Sequence, residues 1–364
     1  MTTRKVSTQM TSGELEPDGV IVATPLIPVI DVSTFLDGTD LQTAPEQVNL
    51  AATTSGFFQI VGHGIPLPLI DRVYAMAEAL SQMDPGYLKT IVSPVGHPYR
   101  GLTTNYDKEG QVRSLRMHAS SFDSPEAAEA GGVPSEYSDF FSPNVWPWEV
   151  EGFRDAVTDL FSATQDLGAS LMSLFAVALN LPLDYFDTLV EPNASSCSIN
   201  YYPPRNAPLV EHPTVIFDEH SDGGTLTILH QRGTYDGLQI RDSDNNWFNV
   251  PVIDEALVIN MGELMTRWTN GMWPATRHRV VADENPLGHR TTLTTFHLPA
   301  VDAVIEPLKT TFGSEGPQFD PVMVYDWDRV RYQLRQKEKE RLNKVSHMRP
   351  SAEAQAYIEK HFGA

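Results

Sequence analysis

The sequence has almost no cysteine, because Cys197 is the single one among 364 residues. A lone cysteine cannot close an internal disulfide, which excludes a disulfide-stapled secreted domain and favours a reducing compartment. Continuous apolar runs stay well below the ~20 residues that a membrane-spanning helix needs. The opening residues, MTTRKVSTQM, lack the apolar segment of a signal peptide. These absences predict a soluble, cytoplasmic protein.

Positive charge is also scarce, with 26 Lys and Arg against 47 Asp and Glu and a net charge of -21. An acidic surface repels the phosphates of nucleic acids and of anionic membranes. We therefore expect neither a nucleic acid nor a membrane among the partners of this protein.

Apolar residues are plentiful enough for a large core, at 41% against 20% charged residues. Residues 1–24 are polar and aperiodic, which predicts a flexible leader. Residues 25–190 combine helix-periodic segments, such as LPLIDRVYAMAEALSQM, with a buried-strand pattern, FFQIV, and predict a mostly helical N-terminal region. Residues 311–364 predict a C-terminal helical extension, in which DWDRVRYQLRQKEKERLNKV has the charge pattern of a solvated outer helix.

Between residues 191 and 310 the pattern changes to period two. Short runs of β-branched and aromatic residues alternate with turn residues, including Asn270 and Gly271 and the cluster at 242–246. Many short strands at regular spacing predict a sandwich or barrel. The predicted fold class is α+β with a mainly β, jelly-roll-like core, preceded by a helical region and closed by a C-terminal helix.

Three residues of this strand-rich region could hold a metal ion. His220 and Asp222, in DEHSDGG, are two positions apart, and alternate residues of a strand face the same side. For these two residues alone, a satisfied surface pair is the favoured interpretation. His278, in ATRHRVVA, is a third candidate, because a barrel brings distant strands together. Two histidines and a carboxylate form the facial triad that holds Fe(II) with open positions, although zinc hydrolases use similar ligands.

A second pair follows in HRTTLTTFHLP, where Arg290 and Thr292 share one face of a predicted strand. A guanidinium and a hydroxyl side by side can bind a carboxylate through several hydrogen bonds. Such a socket suits the distal carboxylate of 2-oxoglutarate, whose other end would chelate the metal. An ordinary cross-strand polar pair is the alternative interpretation.

The ordered set of motifs resembles the 2-oxoglutarate/Fe(II)-dependent dioxygenase superfamily, in the branch of isopenicillin N synthase and the plant flavonoid and gibberellin oxidases. The matching stretches are, in chain order, IPVIDVS, GFFQIVGHGIP, NYYPP, EHSDGGTLTILHQ, DGLQIRD, NWFNVP, ALVINMGE, TNG and HRVV. Each stretch is short, but their order along most of the chain is specific. The resemblance implies a double-stranded β-helix, or jelly roll.

The resemblance also implies roles for single residues. Positions 220, 222 and 278 would ligate Fe(II), and the 2-oxoglutarate site would comprise Arg290, Thr292, Tyr202 and Asn200. Thr292 stands where the family usually has Ser. Asp222 keeps the carboxylate that related halogenases replace with a small residue.

The implied cofactors are Fe(II), 2-oxoglutarate and O2. The implied reaction releases succinate and CO2 and forms a ferryl species, which hydroxylates, desaturates or cyclises a small organic metabolite, as in specialised metabolism.

The substrate would lie over the iron, between the loops before the core and the core strands. The candidate lining residues are Tyr99, Arg100, Tyr106, Arg113, Arg116, Met117, Phe122, Phe296 and Leu298. The three arginines stand out in so acidic a chain and suggest a substrate carboxylate or phosphate. Ordinary surface ion pairing is the alternative for each of them.

Three other functions fit parts of the pattern. Isopenicillin N synthase and the ethylene-forming plant oxidase keep an Arg-x-Ser socket but use no 2-oxoglutarate. A non-catalytic small-molecule binder would not need all three metal ligands. A zinc hydrolase is disfavoured because no Glu is placed as a water-activating base. The predicted partner is a small-molecule substrate, with no obligate protein partner evident.

Overall fold

The computed structural model describes residues 12–15, 21–24, 27–92, 100–103, 113–118, 122, 124–189, 194–204, 215–282, 285 and 287–342. The helices are α1 Ser33–Leu36, α2 Thr43–Thr54, α3 Leu67–Ser81, α4 Pro85–Leu88, α5 Pro125–Ala130, α6 Phe153–Ala178, α7 Glu263–Trp268 and α8 Val324–Leu342. The strands are β1 Ser12–Leu15, β2 Ile21–Thr24, β3 Val29–Asp31, β4 Phe57–Val61, β5 Gly101–Thr103, β6 Arg113–His118, β7 Ser196–Tyr202, β8 Val215–His220, β9 Leu226–Gly233, β10 Leu238–Arg241, β11 Trp247–Asn249, β12 Leu257–Met261, β13 His278–Val281, β14 Arg290–His297, β15 Val304–Ile305 and β16 Val322–Met323.

The major sheet has eight strands in the order β3-β4-β12-β9-β14-β7-β6-β5. All neighbours pair antiparallel except β3 and β4, which pair parallel. The central strand β14 pairs with β7 on one side and with β9 on the other. Side chains of three adjacent strands therefore meet around β14.

A minor sheet, in the order β11-β10-β13-β8, forms the second layer. An apolar cluster joins strands of the two sheets and consists of Phe57, Leu229, Leu238, Ile240, Val250 and Val258. Two antiparallel layers around a shared apolar interior make a jelly-roll core. The predicted α+β class with a mainly β core is confirmed.

Helices cover the other face of the major sheet, which we call the helix face. The 26-residue helix α6 contacts α2, α3, β9 and β14. By length and composition α6 could span a membrane, but 56% of its most apolar window is buried inside the fold. Packing in the core therefore accounts for much of its apolar surface.

The N-terminal region contains more strand than the sequence predicted, because β3, β4, β5 and β6 all join the major sheet. The boundary predicted at residue 190 thus separates two segments of one sheet. These strands are short, and tertiary pairing rather than a long period-two pattern defines them. Within the predicted leader, β1 and β2 pair as an antiparallel ladder.

The prediction of a solvated outer helix is corrected for the first half of α8, which packs partly into the core. Trp327 and Val330 are 2% and 6% exposed, and the Trp327 indole donates to the carbonyl of Gly223, beside Asp222. The many charged residues of this helix make its apolar stripe hard to recognise in the sequence. In the structure that stripe packs against the core. After α6, residues 182–189 form turns and the short 3-10 helix Asp187–Leu189.

Candidate active site

The structure brings His220, Asp222 and His278 together at one end of the minor sheet. His220 ends β8 and His278 begins β13, and the two are direct partners in the antiparallel register. One ligand atom from each of the three side chains lies within 4.8 Å of the others. Asp222 lies two residues beyond the end of β8, in the loop that leads to β9. The expectation that both residues of the pair are on the strand is therefore corrected.

Backbone carbonyls orient both imidazole rings. The Nδ1 atom of His220 lies 2.8 Å from the carbonyl of Asp218, and that of His278 lies 3.1 Å from the carbonyl of Thr276. A ring that donates from Nδ1 leaves the lone pair of Nε2 available to a metal. Both Nε2 atoms lie 3.8 Å from Oδ1 of Asp222. The donor set and its orientation fit a divalent metal with open positions.

Two polar side chains fix the Asp222 carboxylate, and neither was predicted from the sequence. Oδ2 accepts hydrogen bonds from Thr227 Oγ1 at 2.6 Å and from Asn260 Nδ2 at 2.9 Å. Oδ1 takes no part in these two hydrogen bonds and lies between the two histidines. Asn260 is a lone polar residue in the apolar run ALVINM, and that signal could have identified it.

The balance of effects on Asp222 favours its ionised form. Burial alone would raise the pKa of this carboxyl, but His278, His220 and the two hydrogen bonds outweigh burial and lower the pKa well below its usual range. The site thus holds a buried anion facing two imidazoles. A bound dication would compensate this charge.

The predicted carboxylate socket lies on three adjacent strands. Arg290 and Thr292 of β14 stand directly opposite Tyr202 and Asn200 of β7. The guanidinium carbon of Arg290 lies 5.1 Å from the centre of the Tyr202 ring, and the Thr292 hydroxyl accepts a hydrogen bond of 3.1 Å from Asn200 Nδ2. All four side chains predicted for the co-substrate are therefore grouped together.

Arg290 is 1% exposed, yet two of its three side-chain nitrogens have no hydrogen-bond partner. Nη2 donates to Gln231 Oε1 at 2.8 Å, while Nε and Nη1 are buried without a hydrogen-bond partner. Among the residues that the structure describes, no carboxylate forms an ion pair with it. A buried, uncompensated cation is costly, so this arrangement fits an anionic group that enters from outside.

Gln231, on β9, is a further residue that the sequence did not indicate. Its amide Nε2 donates to the carbonyl of Pro251 at 3.2 Å, which turns its oxygen toward Arg290. Across the same strands, a Cβ at Gly233 would lie 2.7 Å from the Arg290 Cα. Gly233 therefore permits the close approach of β9 to β14 at the socket.

Strand β6 divides the predicted substrate residues between its two faces. The Ser114 hydroxyl hydrogen-bonds to Ser198 and Asn200, so Ser114 and Arg116 face the interior. Arg113 and Met117 alternate with them on the helix face, where Arg113 donates to the carbonyl of Ser81 and Met117 is fully buried. The prediction that these two residues line the substrate space is corrected.

Arg116 and Phe296 do meet on the interior face, with the guanidinium 4.8 Å from the ring centre. Phe296 stands directly opposite Thr227 on β9, and Thr227 holds Asp222. Phe296 therefore lies one residue removed from the Asp222 carboxylate, and Arg116 lies beside Phe296. Burial and the positive charges of Arg100 and Arg116 lower the pKa of His118 well below its ordinary value.

The other predicted substrate residues are engaged elsewhere or lie outside the described residues. Arg100 is 2% exposed and donates to the carbonyls of Ser142 and Phe140, which corrects its predicted contact with substrate. Phe122 stacks edge-on against Phe141. Leu298 belongs to the main hydrophobic core. Tyr99 and Tyr106 are outside the part of the chain that the structure describes.

Two family models match the chain. Residues 193–299 match the model described as the 2OG-Fe(II) oxygenase superfamily. Residues 27–149 match the model described as non-haem dioxygenase in morphine synthesis N-terminal. The first match contains the His–Asp–His trio and the carboxylate socket.

Curated relatives of bacterial, fungal and plant origin are similar over most of the chain. The 2-oxoglutarate-dependent dioxygenase thnC of Trichoderma harzianum is 30% identical over 70% of this chain and 79% of its own length. Gibberellin 20 oxidase 4 of Arabidopsis thaliana is 29% identical over 77% of this chain and 73% of its own length. Validamycin A dioxygenase of Streptomyces hygroscopicus subsp. limoneus is 25% identical over 70% of this chain and 72% of its own length.

Solved structures show the same fold. A putative 2OG-Fe(II) oxygenase family protein from Caulobacter crescentus superposes with a TM-score of 0.72 at 22% identity, covering 84% of this chain and 98% of that one. A full-length Neurospora crassa protein, solved in complex with alpha-KG, superposes with a TM-score of 0.71 at 22% identity, covering 87% and 98%.

Proposed function

Since the chain belongs to the 2OG-Fe(II) oxygenase superfamily, we propose that it oxidises a C–H bond of a small organic metabolite at an iron held by His220, Asp222 and His278. It is a 2-oxoglutarate-dependent dioxygenase whose cofactors are Fe(II), 2-oxoglutarate and O2. The observation that carries the proposed site is the convergence of two imidazole Nε2 atoms on one carboxylate oxygen, each 3.8 Å from it.

One group of residues would hold the metal, and a second group would bind the co-substrate. Thr227 and Asn260 hold Oδ2 of Asp222, so that a single oxygen faces the metal and positions remain open for other ligands. Arg290 supplies its unused N–H groups, and Thr292 its hydroxyl, to the distal carboxylate of 2-oxoglutarate. When bound, Fe(II) with 2-oxoglutarate activates O2 for oxidation of the substrate, and the co-substrate leaves as succinate and CO2.

The surrounding residues do not favour the alternative functions. An isopenicillin N synthase-type oxidase uses no 2-oxoglutarate, whereas this enzyme does. A zinc hydrolase would need a free glutamate as base, but Glu263 is bound to Ser221 and paired with Arg331. Glu219 is likewise paired, with Arg241 and Arg277.

Anaerobic Fe(II) titration with and without 2-oxoglutarate tests the proposed site. We expect a weak visible band near ~500 nm only when both are present, because the chelate needs an iron with open positions. The band should be absent in His220→Ala and present in His230→Ala. His230 is a matched control, since it is buried and bound to Tyr74 and the carbonyl of Asp254. Iron binding without a band would contradict the chelate, and no iron binding would contradict the metal site.

We further propose that the substrate carries an anionic group, which Arg116 binds above the aromatic surface of Phe296. The positive charge near His118 stands out in a chain of net charge -21. A charge-assisted hydrogen bond contributes ~1.5–3 kcal/mol, so Arg116→Ala should raise the substrate KM about tenfold or more. Arg113→Ala, on the opposite face of the same strand, should leave KM unchanged.

A panel of aromatic and alicyclic carboxylic acids, each paired with its methyl ester, provides the probes. Succinate formation is measured with each compound. We expect acids to stimulate wild type more than their esters do, and Arg116→Ala to lose this preference. Equal stimulation by acids and esters, or equal loss in Arg113→Ala, would contradict an anionic subsite at Arg116.

A further inference from the structure

The loop that carries Asp222 is hydrogen-bonded at every backbone carbonyl from residue 221 to residue 225. The donors come from α8, from α7 and from Gly262, which precedes α7. They are Arg331 Nη2 to Ser221 O at 3.0 Å, Glu263 N to Asp222 O at 2.8 Å, Trp327 Nε1 to Gly223 O at 2.9 Å, Leu264 N to Gly224 O at 3.0 Å and Gly262 N to Thr225 O at 2.9 Å.

Side chains connect these donors into one network. The Ser221 hydroxyl donates to Glu263 Oε1 at 2.5 Å, and Arg331 forms an ion pair with the other oxygen of Glu263. Arg331 therefore contacts the loop directly through Ser221 O and indirectly through Glu263. The side chains of Arg331 and Glu263 are 14% and 23% exposed, so water screens this ion pair less than an ordinary surface pair.

The loop packs closely against both helices at two glycines. A Cβ at Gly223 would overlap the side chain of Arg331, and a Cβ at Gly262 would overlap the carbonyl of Gly224. Glycine at these two positions lets the loop touch both helices. The first half of α8 is itself fixed in the core through Val324, Trp327 and Val330. A displacement of Arg331 would consequently be transmitted to the backbone on both sides of Asp222.

We propose that Arg331, on the C-terminal helix, is a positioning residue for the metal centre. By holding Ser221 and Glu263, it fixes the backbone from which the Asp222 carboxylate projects. This inference rests on the proposed role of Asp222 as a metal ligand. Residues that orient a ligand commonly change metal affinity ten- to a hundredfold when they are replaced. We expect Arg331→Ala to weaken metal binding about tenfold.

Titration of the full-length, metal-free protein with Co(II) provides the test, because the visible d–d absorption of Co(II) reports both affinity and ligand geometry. Arg331→Ala should show a larger Kd and an altered spectrum. Arg331→Lys keeps a cation opposite Glu263 but cannot also reach Ser221 O, so an intermediate Kd is expected. Arg329→Ala is the matched control, because Arg329 lies on the same helix and contacts Tyr325.

The melting temperature of each metal-free variant separates positioning from folding. A wild-type Kd and spectrum in folded Arg331→Ala, even with a lowered melting temperature, would overturn the proposal. An equal loss of affinity in Arg329→Ala would also overturn it. Failure of wild type itself to bind Co(II) would refute the proposed metal site, and is thereby distinguished from failure of the positioning role alone.

Discussion

The variant Asp222→Asn is expected to fold normally but to lose metal binding and turnover together. Asn is isosteric with Asp, and its amide oxygen can still accept from Thr227 and Asn260, which hold Oδ2 in the structure. Its NH2 group would then replace Oδ1 between the two imidazoles. A donor in place of an anionic ligand repels a cation. We expect metal affinity to fall by at least about a thousandfold, equivalent to ~4 kcal/mol.

Co(II) titration and succinate formation check this prediction on the same samples. Asp218→Asn is the control, because it removes an exposed carboxylate from the same strand and keeps the backbone carbonyl that orients His220. The control should bind metal as wild type does. Near-normal metal affinity in Asp222→Asn would show that the two histidines do not depend on this carboxylate.

The variant Arg290→Met is expected to lose 2-oxoglutarate without losing stability in its absence. Without an anion, the wild-type guanidinium is a buried cation with two unused donors, and an apolar residue of similar length removes that cost. One or two charge-assisted hydrogen bonds to the distal carboxylate would be lost, at ~1.5–3 kcal/mol each. The Kd for 2-oxoglutarate should therefore rise about a hundredfold.

Thermal unfolding with and without 2-oxoglutarate, in the presence of Co(II), measures both parts of this prediction. Wild type should be stabilised by 2-oxoglutarate, since a ligand of the folded state raises its stability, whereas Arg290→Met should not respond. Arg232→Met is the control, because Arg232 lies on the neighbouring strand β9 and forms a half-exposed ion pair with Asp71 of α3. A strong 2-oxoglutarate response in Arg290→Met would exclude the socket.

The sequence predicted the candidate site best where several residues of a motif occur at a defined spacing. His220, Asp222 and His278 are predicted as a facial triad from their residue types and strand spacing, and the resemblance to a known family implies the same three residues. The structure brings one ligand atom of each within 4.8 Å of the others. The strands after residue 195 were predicted from their period-two pattern. The neighbours Thr227, Asn260 and Gln231 were missed, since their roles depend on which face of which strand they occupy.

The alternation of side chains along a strand bears on two of the predicted substrate residues. Arg113 and Arg116 are an odd number of positions apart, so a strand must place them on opposite faces. The sequence therefore allowed at most one of them to enter the interior, but only the pairing of β6 with β7 decides which one. Likewise, no local pattern relates Arg331 to Ser221, which is 110 residues earlier.

The 110 residues between Ser221 and Arg331 affect the order in which the loop forms its contacts during synthesis of the chain. A ribosome releases DEHSDGG long before it releases α8, so the loop that carries Asp222 emerges while two of its five carbonyl contacts, those from Trp327 and Arg331, do not yet exist. The loop can adopt its final hydrogen bonding only after residue 331 has emerged and its helix has docked. If Arg331 positions the metal centre as proposed, a chain that stops before this residue would carry Asp222 on a loop that lacks two of its backbone contacts.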